Sequence, residues 1–497
     1  MPESVPTWPA AEAGVPSFDL EADVVVAGFS MAGAAAALGA LEATSDVLAV
    51  ERGGGPEGTC GGIVYLGGGT PMQKAMGFDD TAAEMYAFLL AALGPGVDEA
   101  KLAVYCDESL LHFDWLVNHG VPLISGADEP GSALASADED GFVSLAGQEY
   151  AGGGLVWTGG ERAYPFSSQV RPAPRGHIPR GADADKHLFE GAVLKCLVRA
   201  AEQAGVRAEY NVGVRRLVVD DGGGVIGVEG RRFGTPVWVR ARRGVVLTTG
   251  GFIYNDEMLA RHSPALLAMT KLGHGGQDGL GIQLAQAAGA DVMHMEAADV
   301  TLLLTPPMSY ARGILLNERG QRFINEDTYY GRLGAEAAFR QDAIAYALLD
   351  ESTFLDTGWR QPSFAGESLA GLEQEMGLPD GALEQTVAYY NEHAERGEDP
   401  LFHKAERWLR PLAPPYAVLD LRPQAFPMAA FTMGGLRTSV AGEVLRPDGS
   451  PVAGLFAAGR ATSGLAVSGY CSGISLGDCS FFGRRAGQSA AARRPAS

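Results

Sequence analysis

The segment Asp23-Val24-Val25-Val26-Ala27-Gly28-Phe29-Ser30-Met31-Ala32-Gly33, followed by Val50-Glu51-Arg52, constrains the fold of this chain most. An apolar run stops at Gly28, a helix of small residues begins, and an acid stands 23 positions after that glycine. This is the order of a βαβ unit that binds a dinucleotide. Gly28 lets the chain turn tightly off its strand, and Gly33 lets the helix pack closely. The helix N-terminus, with Ser30 and Ala32 in its first turn, offers free N–H groups to a pyrophosphate. Glu51, followed by Arg52, can accept hydrogen bonds from a ribose. Ser30 stands where a middle glycine is usual.

The chain has 497 residues, of which 46% are hydrophobic and 20% charged, enough for two or three domains. Its formal net charge of −22 argues against nucleic acid or an anionic membrane as partner. The five cysteines (Cys60, Cys106, Cys196, Cys471, Cys479) are scattered, with no metal-type spacing. No disulfide framework or zinc site is implied, and a cytoplasmic location is expected. Residues 1–19 lack the basic and apolar regions of a secretory signal. No run of 18 apolar residues occurs, so no membrane span is predicted.

Along the chain, residues 1–17 read as a loose arm and 18–52 as the βαβ unit. A glycine-dense loop follows, Gly53–Thr70, containing Gly61, Gly62, Gly68 and Gly69. Such glycine density predicts backbone passing close to something bulky. Residues 80–119 read as helical, 121–185 as a long surface excursion or lid, and 187–205 as another helix. Residues 208–219 read as one strand, followed by a hairpin turn at 222–224. Gly244–Gly251 reads as a buried strand ending in a glycine pair, and 278–290 as a helix. The composition shifts between 286 and 430, which reads as a second, catalytic or capping domain with helices over 365–397. Glycine-rich character returns from Phe431, and a final helix is predicted over 475–492. The first domain, 18–285 and 431–497, is therefore discontinuous.

A second cofactor signal at the far end, Gly454–Arg460 before a helix, argues for FAD over a simple nicotinamide enzyme. It places Gly459 and Arg460 at the flavin end. Thr249, Gly250 and Gly251 belong to the same sheet, and Val214 can present its backbone to an adenine edge. Asp278, Gly473, Ser475 and Leu476 complete the predicted cofactor-binding set. Flavin carries two-electron chemistry.

The strings LGGGTPMQKA (66–75), RRGVVLTTGGF (242–252), RGQRFINEDTYYGR (319–332), FTMGGLRTS (431–439), GLFAAGRATSG (454–464) and SGYCSGISLGD (468–478) carry a resemblance. With the opening βαβ unit, they resemble the fumarate reductase/succinate dehydrogenase flavoproteins, and more narrowly the 3-ketosteroid Δ4-(5α)-dehydrogenases. The resemblance implies an α/β fold. A Rossmann-like FAD-binding domain of glutathione-reductase type would carry an inserted α+β capping domain, and FAD would be non-covalent. Fumarate-reducing relatives grip a dicarboxylate with His and Arg. Here Phe431 stands at the His position, Tyr329-Tyr330 follow the Asn-Glu motif, and Tyr470-Cys471-Ser472 replaces the late Arg. Tyrosine cannot replace a bidentate arginine. The swaps suit a small apolar ketone, with Arg332 a reservation.

Removing hydrogens α and β to a ketone needs a carbonyl donor, a base for the α-proton and an acceptor for the β-hydride. The resemblance assigns Tyr470 as a phenolate-like base supported by Ser472, with Tyr329 assisting proton relay. Phe431, Tyr330 and Gly473 are the predicted substrate contacts, and backbone N–H groups around Gly473 would polarise the ketone. Alternatives stay open. Tyr470 could merely close the cleft, and Ser472 could cap a helix. Tyr330 competes with Tyr329, because adjacent residues of an extended segment face opposite ways. Ser468 is a weaker candidate, and His274 reads as a loop residue. His177 reads as exposed, with cofactor contact the alternative. The leading expectation is introduction of a C4–C5 double bond into a 3-ketosteroid. The runner-up is a desaturase or ene-reductase acting on another cyclic ketone. Electron acceptor and oligomeric state stay open.

Overall fold

Val24, Val25 and Val26 are fully buried because their strand lies inside a sheet covered on both faces. Each contributes about 1.5–3 kcal/mol of burial. The computed structural model describes residues 8–495 except 45, 57, 59–61, 124–134, 138–142, 146–147, 180–190, 306, 357 and 359. Gly61 and Cys60 therefore lie outside the described residues. Strand β1 (Leu20–Ala27) runs into helix α1 (Met31–Leu41) and then β2 (Val47–Val50). Beyond β2 the parallel ladder continues to β3 (Arg207–Glu209). An antiparallel hairpin, β4 (Gly213–Val219) and β5 (Val225–Arg232), leads into the long strand β6 (Thr235–Leu247). The last turns of β6 lie parallel to β1, with Gly244 opposite Val24 and Leu247 opposite Ala27.

The chain then builds a separate layer. Strand β7 (Ala298–Thr301) carries helix α2 (Tyr330–Arg340), and Gly334 packs so closely that a Cβ there would meet Val300 O at 1.8 Å. Strand β8 (Ala429–Thr432) pairs antiparallel with β7, placing Asp299 opposite Phe431. A four-stranded antiparallel sheet (Ile314–Leu316, Tyr346–Asp350, Phe364–Gly366, Tyr416–Asp420) lies beyond. The chain returns through β9 (Pro451–Ala457), parallel to the end of β6. It closes with α3 (Ile474–Ala492), which lies on α1 with glycines at the contact: a Cβ on Gly487 would meet Ala36 O at 1.9 Å. The α/β fold with an FAD-domain sheet and a mixed capping layer is the expected class.

Four local expectations are corrected. The arm is not loose throughout: Ala10–Ala11 pairs parallel with Val218 and Val219 at the sheet edge. Residues 208–219 are not one strand, because Asn211 takes a positive φ of 61° and the chain breaks between β3 and β4. The excursion is not bare loop. Gln148–Gly152, Leu155–Trp157 and Gly176–His177 form an antiparallel ladder that returns to Val64–Tyr65. His177 is fully buried rather than exposed, and Thr70 Oγ1 lies 2.8 Å from its Nε2.

Candidate active site

A long cleft opens along the C-terminal edge of the parallel strands, where such sheets bind ligands. Gly28 turns off β1 with φ +99°, and a Cβ there would strike Thr248 O at 2.6 Å. Gly33 sits under that turn, 1.9 Å from Gly28 O were it alanine. Ser30 keeps an ordinary extended backbone (φ −103°), so the motif needs no glycine there. Gly28, Ser30, Ala32, Glu51 and Arg52 line one wall. Val214, Thr249, Gly250 and Asp278 line the middle, and Gly459, Arg460, Ser475 and Leu476 close the far end. Both Glu51 oxygens are anchored, by Phe29 N at 2.7 Å and Gly53 N at 2.8 Å. Arg52 and Asp278 are paired to each other across the opening at 2.7 Å.

Besides Gly33, which lies under the turn, five described residues of the predicted set do not line this cleft. Gly68 N donates to Asp80 Oδ2 and Gly69 N to Gln73 Oε1, so both are spent on their own turn. Gly62 is a buried turn residue with φ +70°. Gly251 packs against Thr432 Oγ1. Gly473, with φ +93°, is the N-cap of α3 and lies against Ile63 and Tyr65.

At the far end a second, smaller cavity adjoins the cleft, sharing Gly459, Arg460, Ser475 and Cys479 and adding Phe431 and Ile474. Arg460 lies over the Phe431 ring at 3.8 Å, and Tyr470 meets that ring edge-on at 5.2 Å. Ser472 is buried, and its Oγ is 3.1 Å from Tyr329 Oη and 2.5 Å from Tyr330 Oη. The expected choice between the two tyrosines is corrected. The segment does not continue as a strand: Tyr329 is the extended N-cap, α2 starts at Tyr330, and both hydroxyls converge on one serine. Ser472 does not cap α3; Gly473 does. At Tyr470 the serine that favours the ionised form is Ser475 rather than the expected Ser472. The phenolate-like state is corrected too: burial pushes Tyr329 and Tyr470 well above the ordinary tyrosine value, although Arg460 counters it at Tyr470. Arg332 is occupied elsewhere, donating to Tyr164 O at 2.9 Å and Asn325 Oδ1 at 3.1 Å.

The family model of the FAD binding domain matches residues 23–476. This chain belongs to the FAD-binding flavoproteins. It is 45% identical to 3-ketosteroid-Δ4-(5α)-dehydrogenase from Rhodococcus jostii RHA1, solved in complex with 4-androstene-3,17-dione. That match covers 98% of this chain and 100% of the other, with a TM-score of 0.87. It is 25% identical over 509 residues to 3-oxo-5-alpha-steroid 4-dehydrogenase of Comamonas testosteroni, covering 88% of this chain and 92% of that protein. It is 24% identical to the probable fumarate reductase Ifc3 of Shewanella frigidimarina, over 94% of this chain and 74% of that protein. The flavoprotein is thus an oxidoreductase of the family that includes 3-ketosteroid dehydrogenases, and its cofactor is FAD.

The flavoprotein's cleft fits that cofactor. Gly28 leaves no side chain at the turn, the N-terminus of α1 faces the cleft, and Thr249 Oγ1 is buried with no hydrogen-bond partner among the described residues. Among the described residues, no helix is long and apolar enough to cross a membrane. Cys471 is a buried thiol held well above its ordinary value by desolvation, an inert packing residue.

Sequence reasoning missed several residues of the flavoprotein's site. Thr248, Gln277 and His274 line the cleft. Asp299 is buried beside the tyrosines, and desolvation raises its carboxyl to about 7. Its signal was a lone acid inside the apolar run Ala297–Leu304. Glu161 is fully buried and raised to about 7 by desolvation, behind Cys471. Nothing in its glycine-rich surroundings marked it.

Proposed function

We propose that the flavoprotein oxidises a 3-ketosteroid, forming the C4–C5 double bond, with Ser472, Tyr329, Tyr330 and Tyr470 as its working side chains. The observation that carries this reading is the convergence of two tyrosine hydroxyls on Ser472, with Tyr470 set against the apolar Phe431. The steroid complex of the Rhodococcus relative supports the substrate class. Bound FAD, held without a covalent link between Glu51 and the Gly459–Arg460 turn, supplies the acceptor for the β-hydrogen and its electron pair.

The chain's own residues handle the ketone and the proton. A tyrosine pushed above its ordinary value stays a phenol and donates. Tyr470 is therefore suited to polarising the ketone oxygen, together with N–H groups at the start of α3. The α C–H bond breaks, its electron pair enters the enol system, and the proton passes to Ser472 Oγ. Ser472 gives up its own proton to Tyr330 or Tyr329. Tyr330 is partly exposed and provides the outlet to water. A neutral serine is a weak base alone, and the chain of hydroxyls is what makes the transfer effective.

Anaerobic mixing of the purified flavoprotein with a 5α-3-ketosteroid tests this. The expected result is bleaching of the flavin band and a 4-ene-3-one product. Product without a 4,5 double bond, or reoxidation of the reduced flavoprotein by another cyclic enone only, would replace this reading with the related desaturase or ene-reductase. Acid precipitation should release FAD into the supernatant.

A further inference from the structure

Asp299 is a carboxyl that the reaction above leaves unused, yet it is buried beside Tyr329. Its strand β7 faces Phe431 of β8 across one antiparallel pair. Gly331, in the first turn of α2, holds it against Tyr329. A Cβ on that glycine would lie 2.6 Å from Asp299 Oδ1 and 2.4 Å from Tyr329 Cε1. The carboxyl is 3% exposed, and its one hydrogen bond among the described residues comes from Thr301 Oγ1 at 3.2 Å. The charged and titratable groups facing it are Arg460 from the turn after β9, Tyr329 from the start of α2, and Tyr470 and Cys471 before α3. Among the described residues no salt bridge joins it to Arg460, and its charge raises Tyr329 and Tyr470.

We propose that Asp299 is a positioning residue of the flavoprotein: its ionised carboxyl sets the charge of the wall beside the hydroxyl chain and so defines the pH range of proton uptake by Ser472. This rests on the reaction proposed above. As the substrate's proton enters the Ser472–Tyr329–Tyr330 chain, that chain bears transient positive charge. A carboxylate against Tyr329 stabilises this charge, in a site where low polarity strengthens the interaction. With Asp299 protonated, the positive charge of Arg460 stands unopposed and proton uptake is disfavoured. Desolvation raises the carboxyl to about 7, and the Thr301 bond and Arg460 oppose that rise. Proton uptake should therefore strengthen as pH rises through neutrality.

The test measures kcat of the holoenzyme from about pH 5 to about pH 9. In the unsubstituted flavoprotein, kcat should fall about tenfold per pH unit below a midpoint near 7. Asp299→Asn should give a low, flat profile. Thr301→Val, which keeps the fold if the asparagine variant does not, should move the midpoint upward, because a bond that favours the ionised form is gone. Glu161→Gln should leave the limb in place, since Glu161 is bound by Gly159 N and its charge bears on Cys471 and Arg175 rather than on Tyr329 or Tyr470. A limb that survives Asp299→Asn, stays fixed in Thr301→Val, disappears in Glu161→Gln, or is missing from the unsubstituted flavoprotein overturns the proposal. The visible spectrum of the bound flavin, titrated over the same range without any ketone, separates the two readings. A transition there that Asp299→Asn abolishes supports the role of Asp299 even if no steroid is turned over.

Discussion

The cofactor cleft, which shares Arg460 and Ser475 with the cavity at Phe431, and the hydroxyl cluster are assembled differently. The cleft is made of strand ends and turns, and its demands are mostly steric: room at Gly28, close approach at Gly33 and Gly459. The cluster is made of side chains from segments more than 140 residues apart, Tyr329 and Tyr330 against Ser472. Its demands are chemical and need hydroxyls within bonding distance. A site of the first kind tolerates polar substitutions and fails on added volume. A site of the second kind tolerates small changes of shape and fails on a lost hydroxyl.

Five substitutions bear on this contrast. The largest effect is expected at Ser472→Ala. Loss of the proton acceptor should lower kcat by about a hundredfold to ten-thousandfold, with FAD content and flavin spectrum unchanged. Stopped-flow flavin reduction reads this directly, and parallel loss of FAD would erase the distinction between the two regions. Gly33→Ala should do the reverse. Its Cβ would fall 1.9 Å from a backbone oxygen, so the turn must move. About 1–3 kcal/mol of stability and much of the bound FAD should be lost, read by urea denaturation and flavin-to-protein absorbance.

Glu161→Gln sharpens the comparison through pH. The glutamate's ordinary value is 4.5, and burial raises it to about 7 in the folded protein. Between those values the folded state holds a proton that the unfolded chain releases. Its contribution is therefore fully present below 4.5 and declines through about 7 as pH rises. The decline should approach about 1.4 kcal/mol per pH unit. Glutamine removes it, so the variant should be the more stable of the two at alkaline pH. Urea midpoints of both proteins across pH measure the difference, and parallel curves would place Glu161 outside any buried polar environment.

The smallest effect is expected from single tyrosine changes. Tyr329→Phe and Tyr330→Phe each remove one of the two tyrosine hydroxyls bonded to Ser472, so kcat should fall about tenfold in each. The double variant should fall more than the product of the two. Simple multiplication would mean that the tyrosines act independently and that no shared serine links them.

Much of the cofactor cleft was legible because its signals are contiguous. The valine run, Gly28, Gly33 and Glu51 sit within one βαβ unit, and the Gly454–Arg460 motif repeats the logic at the other end. The family motifs also marked Tyr329, Tyr470 and Ser472 as site residues. Their partners were not legible. The pairing of Ser472 with both tyrosines depends on α2 starting at Tyr330, and a helix start is a local choice made by packing against β7. The influence of Ser475 on Tyr470 depends on Gly473 adopting a left-handed turn before α3. Gly68 and Gly69 look in sequence like cofactor loops, but Asp80 and Gln73 take their N–H groups.

By itself the amino-acid sequence determined the strand–turn–helix order, the glycines that the turns demand and the apolar character at Phe431. These follow from backbone sterics and side-chain chemistry acting over a few residues. Tertiary structure alone decided which hydroxyls meet, that Asp299 and Glu161 lose their water, and hence which groups carry a proton near neutrality. Desolvation and hydrogen bonding act through space, and the chain sets them only when distant segments have packed.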